Sequence, residues 1–164
     1  MHITHLISTF FGIGHLRPAP GTWGSLAAFP VAWALHMAGG PGLLALGIAV
    51  AFASGWWATH METRGKLDHD PSEIVIDEVA GQWLAFLPVS IGAAHAGAAL
   101  TALWPGWITA FLAFRLFDIW KPGPIRWADR RGDALGVMLD DILAGVAAAL
   151  CVMLGAWLAH VVFV

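Results

Sequence analysis

The chain has 164 residues, of which 59% are hydrophobic and 12% charged, with a mean hydropathy of +0.72. That length fits one domain, 1–164, and that composition excludes an ordinary water-soluble one. A formal net charge of −3 offers no basic stripe for nucleic acid, so no nucleic-acid partner is expected, and the single cysteine, Cys151, allows no internal disulfide.

The elements follow in chain order. Ile3, Leu6, Ile7, Phe10 and Phe11 recur at helical spacing, with His2, Thr4, His5, Ser8 and Thr9 on the other side. This predicts a short amphipathic helix lying in a membrane interface. No basic flank or small-residue cleavage site accompanies it, so no signal peptide is expected. A proline-stiffened loop, 15–21, leads to a helix capped by Thr22 or Ser25 and reaching about Ala38. Gly39-Gly40-Pro41-Gly42 is an uncharged turn, and a second helix runs from Leu43 to about Thr59. A polar loop from His60 to Ser72 follows. A third helix starts near Ile74 and runs to about His95, with a kink at Pro88. A fourth covers about 98–119 with a break or bend at Pro105, and a connecting segment from Ile125 to Asp133 precedes a last helix from about Leu135. There is no β-alternation and no internal repeat.

Charge punctuates this series. Asp, Glu, Lys and Arg occur at Arg17, between Glu62 and Glu78, and between Arg115 and Asp141. The uncharged stretches 18–61, 79–114 and 142–164 hold 44, 36 and 23 residues. At about 20 residues per crossing they contain two, two and one spans, or a re-entrant pair in the second stretch. The expected fold is therefore all-α: a multi-helical integral membrane protein with about five membrane helices, an N-terminal amphipathic helix, and its charged loops on one side. All eight Lys and Arg lie on that side, which makes it cytoplasmic. His36, His95 and His160 fall at the opposite ends of spans and read as interfacial.

The acids carry the chemistry. Asp77-Glu78 opens a membrane helix, where a carboxylate gains from the helix dipole. Asp77, however, is crowded by Ile74, Val75, Ile76, Val79 and Ala80, and calls for a partner or a cation. Gly81, one turn on, leaves space for a metal or phosphate there. Asp140-Asp141 repeats the arrangement ahead of Ala144-Gly145, and two adjacent carboxylates share a cation or a proton. Asp118 is either a further ligand or the ion-pair partner of Arg115 at i, i+3. Asp129 lies between Arg126 and Arg130 and fits a surface salt bridge equally well. Such hard oxygen donors suit Mg²⁺, and the absence of a Cys/His cluster argues against zinc. Arg17, Lys121, Arg126, Arg130 and Arg131 can hold phosphate or meet anionic lipid. Thr22 and Ser25 add hydroxyls at a helix start beside Arg17. Asp68-His69-Asp70 has the spacing of an aspartyl-phosphate motif but no strand ahead of it; His69 and Asp70 still fall beside the acids.

These residues resemble the phosphatidylglycerophosphatase A family. The matching segments are Ala19 to Ser25, His69-Asp70, Ile74 to Glu78 with Gly81, Phe114 to Pro122, Pro124 to Trp127 with Asp129-Arg130, and Gly136 to Gly145. They extend over about residues 7–150. Departures are Gly123, where the family has a bulky aromatic, and Asp133-Ala134, where it has glycines. The resemblance implies an all-helical, Mg²⁺-dependent enzyme of the bacterial inner membrane, converting phosphatidylglycerophosphate to phosphatidylglycerol. On that reading Asp77, Asp140 and Asp141 hold Mg²⁺, helped by Glu78 or Asp118, and Arg17, Lys121 and Arg126 neutralise phosphate charge. Thr22, Ser25 and the aspartates remain open as nucleophiles. Two other readings stay open. A CDP-alcohol phosphotransferase would need a spaced acidic signature that is missing. A carrier would place its acids near the bilayer midplane rather than at helix ends.

Overall fold

The computed structural model describes residues 2–163, and the described residues form helices and turns with no strand. Among the described residues six α-helices follow one another: α1 (Ile3–Ser8), α2 (Pro20–Thr63), α3 (Ile76–Ala96), α4 (Trp104–Trp120), α5 (Pro124–Asp129) and α6 (Ala134–Phe163). Three helical stretches are long and apolar enough to cross a membrane: Pro20–Thr63, Leu100–Trp120 and Ala134–Val162.

α2 is not one rod. Gly39 and Gly40 leave the helical region, and Gly40 takes a positive φ of 64° that favours glycine. The chain then folds back. A Cβ on Gly47 would sit 2.9 Å from Leu35 Cδ1, a contact impossible between residues twelve apart on a straight helix of 1.5 Å rise. The glycine turn expected at 39–42 is thus the tip of a helical hairpin. Its two ends, near Gly24 and Gly55, both face the start of α3, at Val75 and Ile76.

α3 is the central element and packs on α2, α4 and α6. Phe86 is fully buried, and Trp83 is nearly so, its indole N–H donating to Ala28 O at 2.7 Å. Phe29 of α2 stacks on Trp107 of α4 with centroids 5.6 Å apart, and Phe86 meets Trp107 edge-on at 4.9 Å. His36, expected as an interfacial histidine, joins α2 to α3 through a hydrogen bond with Ser90 Oγ at 2.6 Å.

The packing is inverted relative to a water-soluble bundle. Small residues such as Ala28, Ala32, Ala80, Ala85, Ala144 and Ala148 are buried, while Trp33, Leu46, Leu112, Leu150 and Trp157 are exposed. In lipid, apolar side chains gain nothing by facing inward, and small residues let helix backbones approach.

The N-terminal segment differs from its expected amphipathic pattern. α1 ends at Ser8, and the side predicted to face water carries buried residues, Ser8 and Thr9. Their hydroxyls donate to His5 O, which satisfies them without water. Ser8 O in turn accepts the Val75 amide at 2.9 Å, pinning α1 to the start of α3. Phe11 stays 78% exposed, and Phe10 is buried. Elsewhere α3 runs through Pro88, and the break expected near Pro105 falls just ahead of it, where a 3-10 turn over Leu100–Leu103 gives way to α4 at Trp104. The connecting segment after Gly123 contains α5.

Candidate active site

The two acid pairs lie on two neighbouring helices that start at the same end of the bundle. Asp77 and Glu78 occupy the first turn of α3, where the helix dipole favours a negative charge. Asp140 and Asp141 lie in the second turn of α6. The helices meet at Gly81 and Gly145. A Cβ on Gly145 would lie 2.5 Å from Gly81 O, and one on Gly81 would lie 2.5 Å from Phe114 Cε2 and 2.6 Å from Asp141 O. Gly81 therefore serves helix contact and leaves no open space for a ligand, contrary to the sequence expectation. That contact brings the acids together.

Asp77, Glu78 and Asp141 each offer a carboxylate oxygen, and these oxygens lie within 4.8 Å of one another. Asp77 and Asp141 are buried, at 6% and 3% exposure. Asp77 Oδ1 and Glu78 Oε2 are enclosed with no hydrogen-bond partner. Three carboxylates this close repel one another, and burial removes the water that would screen them. A cation answers both problems. The donors are all hard oxygens, so the residues fit Mg²⁺ and not a thiolate- or imidazole-preferring ion.

The acids open into a cavity of about 150 Å³. Pro20 and Gly21, from the first turn of α2, form one wall, and any side chain at Gly21 would run into Glu78 Oε1. Asp70 and Ser72 of the polar loop form another, and Arg115, Asp118 and Lys121 of the α4 end a third.

Lys121 is placed by a left-handed backbone conformation, φ 48°, directly after α4. Its Nζ donates to Asp129 Oδ1 and to Asp140 Oδ2, both at 2.5 Å. Burial alone would lower its pKa, but the hydrogen bonds it donates to these two carboxylates outweigh that and hold it above the ordinary lysine range. Lys121 is thus a fixed positive charge on the cavity wall. Arg115 Nη1 meets Asp118 Oδ2 at 2.6 Å, the i, i+3 pair that the sequence left open.

Asp77, Glu78, Asp118, Lys121, Asp140 and Asp141 thus share one cavity. Asp140 faces Lys121 and stands outside the three-acid group. Arg17 reaches the rim, where it donates to Ser72 Oγ at 3.1 Å. Thr22 and Ser25 do not line the cavity, and the buried Ser25 hydroxyl donates to Gly21 O at 2.9 Å. Arg126 and Arg130 line a separate cleft. Asp129 pairs with Lys121 rather than with either flanking arginine.

One residue was passed over in the sequence. Gln82, one turn beyond Glu78, is fully buried with neither amide atom partnered. It is the only side-chain amide in the chain, and its place in an apolar membrane-length run was an available signal.

A family model described as Phosphatidylglycerophosphatase A matches residues 6–156. The chain is 37% identical over 147 residues to a protein of Escherichia coli (strain K12) named Phosphatidylglycerophosphatase A, covering 88% of this chain and 78% of that one. A Haemophilus influenzae protein of the same name is 35% identical over 150 residues, covering 90% and 85%. A Bacteroides thetaiotaomicron protein named "Putative phosphatidylinositol-3-phosphatase" is 35% identical over 158 residues, covering 93% and 92%. No solved structure matches the chain.

Proposed function

Because the chain belongs to the phosphatidylglycerophosphatase A family, we propose that it is a membrane phosphatase that hydrolyses the terminal phosphomonoester of phosphatidylglycerophosphate. Water adds to phosphorus, the bond from phosphorus to the glycerol oxygen breaks, and phosphatidylglycerol and inorganic phosphate leave. The observation that carries this reading is the close group Asp77, Glu78 and Asp141, in which Asp77 Oδ1 and Glu78 Oε2 are enclosed without a protein partner. These three would hold Mg²⁺. Bound there, Mg²⁺ would polarise the phosphoryl oxygens and lower the pKa of a water molecule.

The chain's own groups do the rest. Lys121 presents a permanent ammonium to the phosphoryl group, and Asp140 and Asp129 hold it in place. Arg115 lines the same cavity with its charge balanced by Asp118. Arg17 stands at the rim, where an incoming headgroup passes. The acids repel a free anion, so a phosphoryl group would enter the cavity only where a cation offsets their charge.

The five helical segments 20–38, 41–63, α3, α4 and α6 each cross the bilayer in this reading. α3, with 21 residues at 1.5 Å rise, is about 31 Å long, which matches a hydrocarbon core of about 30 Å. The end that carries the Lys and Arg residues faces the cytoplasm of a bacterial inner membrane. α1 and the turn after it lie along that face, with Ile3 of α1 and Phe11 of the turn exposed. The lipids named for the relatives share one layout: a phosphomonoester on a headgroup that a phosphodiester joins to diacylglycerol.

The test is phosphate release from phosphatidylglycerophosphate by the purified protein in detergent, with Mg²⁺ and with chelator. Release with Mg²⁺ alone is expected. No release from folded protein in either condition would remove the proposal, and release that needs added CMP would favour a phosphotransferase.

A further inference from the structure

A second cleft, of about 450 Å³, lies beside the acid cavity. Trp120, Pro122, Gly123, Arg126, Trp127 and Arg130 line it. The two spaces share one stretch of chain. Lys121 lines the acid cavity, and its neighbours Trp120 and Pro122 line the cleft.

The charge of the cleft is unbalanced. Arg126 and Arg130 are four residues apart, and Arg130 keeps helical angles at the end of α5, so both rise on one side of it. Neither forms an ion pair among the described residues. By contrast Arg115, Lys121 and Arg131 are each matched to a carboxylate. Asp129, the acid nearest them in sequence, is drawn away to Lys121. No carboxylate lines the cleft. Two indoles, each 62% exposed, frame it, and tryptophan prefers the headgroup level of a bilayer. An anion held between two guanidiniums at that level suits a phosphodiester, whose oxygens each arginine can take in a forked pair of hydrogen bonds.

We propose that this cleft binds the phosphodiester of the lipid headgroup while the acid cavity takes the terminal phosphomonoester. The proposal rests on the phosphatase reading for the second half of that sentence only. It makes Arg126 and Arg130 the residues that distinguish a two-phosphate lipid from phosphatidic acid, which has a monoester and no diester.

The test separates the two ideas. Short-chain phosphatidylglycerol carries the diester without the monoester. Its binding to the full chain in neutral detergent is followed by tryptophan fluorescence, with diacylglycerol as the control lacking phosphate. Wild type and Asp77→Asn are expected to bind alike. The double variant Arg126→Ala/Arg130→Ala is expected to bind at least tenfold more weakly, a low value for the loss of charge-assisted hydrogen bonds. Circular dichroism confirms that it is folded, and Arg126→Gln/Arg130→Gln serves if it is not. The KM for phosphatidylglycerophosphate, in the same neutral detergent, is expected to rise with the loss of binding. Equal binding by the double variant overturns the proposal. So does equally arginine-dependent binding of phosphatidic acid, which would assign the cleft to anionic lipid in general. Arginine-dependent phosphatidylglycerol binding without phosphate release from phosphatidylglycerophosphate would leave the cleft standing and remove the phosphatase reading.

Discussion

Lys121 Nζ donates to Asp140 Oδ2 across 2.5 Å and so ties the end of α4 to the second turn of α6. The sequence reading gives one of these residues to phosphate and the other to metal, and the pair sets the ammonium beside the three-acid group. Removing one partner leaves the other enclosed and unpaired, which costs about 3 kcal/mol for a side chain as buried as Asp140. Lys121→Met is therefore expected to lower the thermal midpoint in detergent and to abolish phosphate release. Adding Asp140→Asn is expected to restore stability without restoring activity. Thermal unfolding and turnover of the two single variants and the double variant check this.

The α3–α6 contact makes a second prediction. Gly81→Ala puts a methyl within 2.6 Å of Asp141 O, and backbone must shift to admit it. Overpacking of this kind costs about 1–3 kcal/mol, and here it also parts Asp77 from Asp141. Loss of both stability and Mg²⁺-dependent activity is expected. Gly155→Ala, on α6 with nothing within 4 Å, is expected to be neutral or to stabilise by up to about 1 kcal/mol. Equal behaviour of the two alanines would show that the glycine crossing does not set the site.

Cation binding is testable without substrate. Mg²⁺ that binds only the folded protein raises stability by about 2.7 kcal/mol at a hundredfold excess over Kd. Wild type is expected to gain thermal stability on Mg²⁺ addition and to lose it on chelation. Asp77→Asn/Asp141→Asn is expected to start more stable without metal, because the repulsion is gone, and to gain nothing from Mg²⁺.

Gln82 gives a fourth. A buried amide without partners costs about 1–3 kcal/mol, so Gln82→Leu is expected to raise the thermal midpoint. A natural chain that keeps such a group has a use for it, and the neighbour one turn back on the same helix is Glu78. Phosphate release is therefore expected to fall in the more stable variant. Unchanged release would show that the amide does not serve the acids.

Much of this was legible in the sequence because it was local. The turn at Gly39-Gly40 and the acid pairs at the starts of α3 and α6 follow from composition within a few residues. Asp70 beside the acids was legible from its distance to Asp77. The partners were not legible, because they come from elsewhere in the chain. Nothing near Asp129 shows that Lys121 outcompetes Arg126 and Arg130 for it, since that depends on the left-handed turn at Lys121. Gly81 read as space for a ligand because α6 is invisible from α3. Ser8 and Thr9 read as water-facing because their hydroxyls were not credited with bonds to the backbone of their own helix. Thr22 and Ser25 read as caps, but α2 starts at Pro20.

The most direct measurement is phosphate release from phosphatidylglycerophosphate in saturating Mg²⁺ by wild type and by Asp141→Asn, each shown to be folded and membrane-inserted. Asp141 lies on a different helix from Asp77 and Glu78 and completes the group only through the fold. The account predicts that the variant loses at least a hundredfold in turnover, about 2.7 kcal/mol of barrier, while staying folded. Near-wild-type turnover by Asp141→Asn would contradict it, because the hydrolytic centre would then not be the meeting point of α3 and α6.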